Sequence, residues 1–215
     1  MKRFGILLLA LAFTSLACET LFGNAGQATN QPPAGQVPVQ PPVIQLPNLS
    51  GVQLGDEFRD EGNGCSFRKV PNYDFVQSYG AAQMSAPGAD RVVGPIIGVI
   101  CGIRDKTKPA TLDDMVKELR PDSSSTPEAN PLTYSNQQYI KVGGVNAVSF
   151  DIKGTTSDGI ALKGRIAAAM VTPYQSFVIV GEAPLNKWED TRPYFEAVMN
   201  SVSFFEPKPI PTANP

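Results

Sequence analysis

Val145-Asn-Ala-Val-Ser-Phe-Asp-Ile152 alternates apolar and polar residues. This period-two pattern marks a half-buried strand. It lies in a longer stretch, Tyr139 to Phe205, that commits the chain to a sheet-based fold. Asp158-Gly159 marks a turn, because glycine accepts the positive φ of a tight hairpin. Beyond it, Ile160, Leu162, Gly164, Ile166, Ala168 and Met170 line one face of a second strand, and Lys163 and Arg165 lie on the other. Pro173-Tyr-Gln-Ser176 breaks the pattern, Phe177-Val-Ile-Val180 begins a third strand, and Ala183-Pro184 ends it. The stretch predicts a three-strand meander covered by one C-terminal helix. Trp188, Phe195, Val198, Met199 and Val202 share one side of that helix. Asn186 and Glu189 have the spacing of a capping box. Proline lacks the N–H a helix interior needs. Pro193 therefore predicts a first turn at Lys187 to Asp190, then a main helix from about Pro193 to Asn200.

The chain begins with Met1-Lys-Arg3 and an apolar run from Phe4 to Leu16, about 13 residues. A bilayer span takes about 20, so the run has the length of a secretory signal instead. Ser15-Leu16-Ala17-Cys18 resembles a lipobox, in which the peptide is cut before a cysteine that then carries a lipid; Ser15 stands where leucine is usual. The reading is a lipoprotein signal peptide over 1–17 and a palmitate-type anchor on Cys18, with plain secretion as the alternative. Acyl chains contribute about 0.8 kcal/mol per buried methylene, so such a chain would stay on the membrane.

Residues 18–52 form a Pro/Gln-rich spacer. Gln31-Pro-Pro33 and Gln40-Pro-Pro42 repeat a motif. Proline removes ladder donors, so the segment predicts an extended tether. Asp56, Glu57, Asp60 and Glu61 follow. On a helix they would share an acidic face, and hard cations take carboxylate oxygens. The segment lacks the dense alternating ligands of a calcium loop, so it is read as a solvated charged start to the domain.

Gly64 to Pro71 predicts a short strand, and Phe75 to Ala86 another. Pro95 to Ile103 is a continuous apolar run with β-branched residues, hence a central strand. Thr111 to Arg120 predicts a helix. Thr111 can cap it and Asp114 sits at the positive end of the dipole. Leu112, Met115, Val116 and Leu119 form one stripe, and Pro121 stops it. Asp122 to Asn130 is a Ser-rich loop, and residues 208–215 a Pro-rich tail.

The chain has 215 residues, 42% of them apolar, which suffices for one core. The net charge of −2 leaves no electrostatic footprint for nucleic acid. There is no histidine. That removes Ser-His and Cys-His nucleophile pairs, histidine bases and histidine zinc sites. No phosphate loop or Gly-x-Ser-x-Gly elbow is present. A Ser-Lys dyad is open by spacing, but no pair stands out. With Cys18 lipidated, Cys65 and Cys101 remain as an even pair in an exported chain. Both are expected on core-facing strand positions, as a disulfide or as two buried thiols.

Gly64-x-Ser66-Phe67…Pro71, and the closing pattern Phe177-Val-Ile-Val180…Ala183-Pro184…Trp188…Pro193-x-Phe195-Glu196-x-Val198…Ser201…Phe204, resemble the PsbP-like superfamily over about residues 53–206. That superfamily includes the extrinsic PsbP proteins of photosystem II, Ran-binding Mog proteins, DcrB-like proteins and many bacterial lipoproteins of unknown role. The resemblance implies an α+β domain over 53–207, a central antiparallel sheet flanked by helices in an α/β/α sandwich. It implies no shared catalytic residues, and members that mostly bind and organise partners; some PsbP proteins bind metal ions, but this chain offers no histidine ligand to carry that over, so no metal site and no cofactor are expected. Cys65 stands where an aromatic residue is common. The expected role is a membrane-anchored, extracytoplasmic, non-catalytic accessory module with a protein partner. A carrier of a small apolar ligand and a hydrolase without histidine are the alternatives.

Overall fold

A computed structural model of the chain describes residues 42–44, 51–78, 80–89, 93–120 and 132–208. The signal segment, Cys18, most of the spacer and the Asp122 to Asn130 loop lie outside the described residues. The chain divides into two units, Met1–Pro42 and Val43–Pro215, and all elements below belong to the second.

The predicted meander forms the spine. Strands β8 (Val145–Thr155), β9 (Ala161–Thr172) and β10 (Gln175–Pro184) pair antiparallel. The register sets Phe150 opposite Ile166 and Ile166 opposite Val180. The break before β10 is shorter than the sequence predicts: β9 runs through Thr172 and β10 starts at Gln175, so Pro173-Tyr174 alone make the turn. Ile160 lies before β9 and is exposed.

The apolar run upstream is β5 (Ile96–Ile103), which pairs with β10 and takes the other side of the spine. Phe75 to Ala86 is two strands rather than one. β3 (Asp74–Ser78) and β4 (Ala81–Ser85) form a hairpin, and Gly80 supplies a φ of +79° at the reversal. With β6 (Thr133–Tyr134) and β7 (Gln138–Val142) on β8, the result is an eight-stranded antiparallel sheet, ordered β3-β4-β5-β10-β9-β8-β6, with β7 also on β8. Gly143 and Gly144 both take positive φ between β7 and β8, which is what a two-residue hairpin turn of matching twist requires.

The Asp56 to Glu61 acids are not on a helix. β1 (Glu57–Asp60) pairs with β2 (Cys65–Arg68), and β2 pairs with β11 (Ser203–Phe204) in a second, three-stranded sheet. Asp60 accepts from the Asn63 N–H and side chain, closing the β1–β2 turn. Local hydrogen bonding at that turn favours the hairpin over the acidic helix face.

Helix α1 (Leu112–Leu119) starts as expected. Thr111 accepts from the Asp114 N–H, and the Asp114 carboxylate accepts from the Thr111 N–H. Met115 is its buried anchor. Helix α2 (Trp188–Asn200) departs from expectation: it is continuous through Pro193, and no Asn186–Glu189 capping box forms. Lys187 is the N-cap, and Glu189 instead pairs with Lys163 and Arg192. Trp188 and Phe195 are buried on either side of Pro193, with ring centroids 6.2 Å apart, and this packing holds the helix together across the missing donor.

The large sheet is covered on both faces. On one, α2 and the small sheet bury Phe67, Val99, Ala167, Ala169, Phe177, Ile179, Phe195 and Met199. On the other, α1 covers Val148, Phe150, Ile166, Ala168 and Val178. This double burial explains why Ala167, Ala168 and Ala169 are all fully buried where one apolar face was predicted. Gly181 permits a close helix–sheet approach: a Cβ there would sit 2.4 Å from the Phe195 ring.

Candidate functional site

Cys65 on β2 and Cys101 on β5 are bonded, with Cα atoms 6.4 Å apart. Both are buried in the α2-side core. Because β2 belongs to the small sheet and β5 to the large one, the bond ties the two sheets together. Closing a loop of 36 residues contributes roughly 4 kcal/mol in the chain-entropy account. Ile103, the last residue of the same apolar run, is exposed at the strand end.

Lys163 and Arg165 point to the α2 side, where the helix supplies counter-charges. Arg165 pairs with Asp151 at 2.7 Å and with Glu196 at 3.2 Å. Lys163 reaches Glu189 at 2.8 Å and holds that exposed carboxyl below its ordinary pKa. Glu196 is almost fully buried. Losing Arg165 would leave a buried charge alone, so these groups lock α2 onto β8 and β9.

Gln175 ties three segments together. Its side-chain amide donates to the carbonyls of Asn63 and Gly64 at 2.9 and 3.0 Å and, more weakly, to Phe205. The C-terminal end is fastened further. The Lys208 N–H donates to the Glu61 carbonyl, and its ammonium pairs with the Glu61 carboxylate at 3.0 Å. Lys208, assigned by the sequence to the tail, is thus tied to the domain.

The group that sequence reasoning missed is Glu182. It stands on β10 between Ile96 of β5 and Gly164 of β9. It is half-buried, and no described residue hydrogen-bonds or pairs with its carboxylate. Burial pushes that carboxyl above its ordinary pKa. Glu182 borders a dent lined by Leu132, Ile152, Lys153, Gly154, Leu162 and Lys163. The dent holds about 10 Å³, the room of one water. Small-molecule sites run from roughly 300 Å³ upward, so this dent does not accommodate a carried ligand. Strand periodicity could have flagged Glu182, since it shares a face with Val178 and Val180 in an apolar strand.

The Ser66 and Ser149 hydroxyls are buried and make no hydrogen bond. A serine nucleophile needs a base within about 2.6–3.2 Å, so neither is set up as one. The Asp113-Asp114 pair serves the start of α1. Among the described residues, no three His, Cys, Asp or Glu side chains gather to hold a metal, and no helix is long and apolar enough to cross a membrane.

No family profile matches the sequence, and no curated protein does. Solved structures match in fold. One is the cyanobacterial PsbP (CyanoP) of Synechocystis sp. PCC 6803, at 14% identity and TM-score 0.51, covering 74% of this chain and 99% of that one. Another is LpqN of Mycobacterium tuberculosis, described as involved in cell envelope biogenesis, at 10% identity and TM-score 0.51, over 76% of this chain and 89% of that one. A protein of Bacteroides thetaiotaomicron matches at 11% identity and TM-score 0.51, over 72% of this chain and half of its own length. Identities this low speak for the fold alone. The domain has the α+β, PsbP-like fold that the patterns at Gly64 to Pro71 and Phe177 to Phe204 implied.

Proposed function

We propose that this chain is a lipid-anchored, extracytoplasmic accessory module. Cys18 carries the lipid, the Pro/Gln-rich segment acts as tether, and the PsbP-like domain engages a protein of a membrane or envelope complex. The observation that carries this reading is a pairing. A lipobox-like Ser15-Leu-Ala-Cys18 precedes a domain whose fold is also that of LpqN, a protein involved in cell envelope biogenesis. The domain's internal chemistry is consistent with it. Arg165, Asp151, Glu196 and Glu189 hold a helix to a sheet, and the buried serines lack a base.

The test is metabolic labelling of the full chain with palmitate, followed by fractionation and crosslinking in the native membrane. The expected result is a labelled, membrane-bound chain crosslinked to a specific protein. Cys18→Ala should lose the label and move to the soluble fraction. An unlabelled, soluble wild type refutes the anchor. Turnover of a defined compound by the purified chain, stopped by one substitution that leaves the fold intact, refutes the non-catalytic role.

A further inference from the structure

Among the described residues, strand β7 has a strand partner, β8, on one side only, in a register from Gln138 opposite Ser149 to Val142 opposite Val145. The Tyr139 carbonyl does not face β8: it accepts a hydrogen bond from the Ile44 N–H at 2.8 Å. Backbone groups alternate along a strand, so Tyr139 and Lys141 present theirs outward while Gln138, Ile140 and Val142 present theirs to β8. Such an edge is a template for another extended segment. The Val43 and Ile44 side chains remain 42% and 49% exposed, so the contact is made by main chain rather than by a buried anchor. The local sequence suits this role. Pro42 has its φ fixed by its ring, and two β-branched residues follow.

We propose that the outer edge of β7 is an acceptor for an extended strand, and that this chain fills it in cis with Val43–Ile44. The proline-rich segment is then fastened to the domain at Ile44, ahead of the first strand. The edge is blunted against pairing with a second copy. This inference does not depend on the lipid anchor. If Cys18 does hold the bilayer, the tether meets the domain at Ile44.

Amide hydrogen exchange and backbone chemical shifts of the full chain from Cys18 onward test it. The Ile44 amide should exchange at least about tenfold more slowly than spacer amides such as Gln36. Ile44→Pro removes the donor. It should move the amide resonance of Ile140, which shares a peptide group with the Tyr139 carbonyl, and leave the α2-side core unchanged. Ile44→Ala keeps the N–H and should retain both the protection and the Ile140 shift. An Ile44 amide that exchanges as fast as the spacer, or an Ile140 resonance indifferent to Ile44→Pro, overturns the proposal. Loss of protection in Ile44→Ala overturns the main-chain basis in the same way. Failure of palmitate labelling leaves all of these outcomes untouched, so the two readings can fail separately.

Discussion

On one face of the large sheet, a 13-residue helix, a second sheet and a disulfide bury Trp188, Phe195, Phe177 and Phe67. On the other, an eight-residue helix lays one buried residue, Met115, over Phe150 and Val178. The same strands supply both faces. What differs is where the covering elements come from. The first face gathers β1 and β2 from the start of the domain and α2 and β11 from its end. Among the described residues, the second is covered by one short helix from the middle. The first therefore carries most of the cross-linking interactions. The second tolerates a carboxylate, Glu182, that has no partner among the described residues, and a dent beside it.

The strongest challenge to this contrast is a pair of truncations compared by urea denaturation. Phe195→Ala should cost about 3–5 kcal/mol, because it empties the space between α2 and the sheet at Gly181. Met115→Ala should cost about 2 kcal/mol, at the low end for a buried methionine, since a lone short helix can settle into the gap. Equal losses would break the contrast.

Reducing the Cys65–Cys101 bond should come next, with a loss of about 2–4 kcal/mol. Free thiols at both positions under non-reducing mass spectrometry, or a denaturation midpoint indifferent to reductant, would contradict it.

Glu182 sharpens the contrast from the weaker face, with the smallest effect. Its folded-state pKa lies above the unfolded value, so the native state holds the proton more tightly. Stability is then fullest where both states are protonated, and falls as pH rises from the ordinary carboxylate range through the raised folded pKa. Glu182→Gln removes that penalty. Thermal melts should show the variant more stable than wild type at pH 7, with the gain vanishing near about pH 3. A variant equal to or weaker than wild type at pH 7 would show that the carboxylate has a partner after all.

Features set by local chemistry were legible in the sequence. Thr111 and Asp114 form the α1 cap, Asp158-Gly159 the β8–β9 turn, and the Pro95 to Ile103 run an interior strand. Features set by distant contacts were not. The small sheet depends on β2 meeting β11 from the far end of the domain, and no local pattern announces that pairing. The helix starts one residue later than an Asn186–Glu189 cap requires, with Lys187 as N-cap, and Glu189 accepts from Lys163 on a neighbouring strand. Pro193 misled because its local cost is outweighed by the burial of Trp188 and Phe195 around it. Of the site residues, Cys65 and Cys101 could be named as candidates from their number and strand positions. Glu182 is the one charged residue of a strand that otherwise reads as apolar.

The β2–β11 pairing also sets an order of events during synthesis. β11 is the last of the described elements, so the small sheet lacks one of its strands until residues 203–204 have been made. Cys65 and Cys101 emerge long before then, while β2 still has an open side. A chain emerging residue by residue therefore meets the second partner of β2 only after every strand of the large sheet has been made.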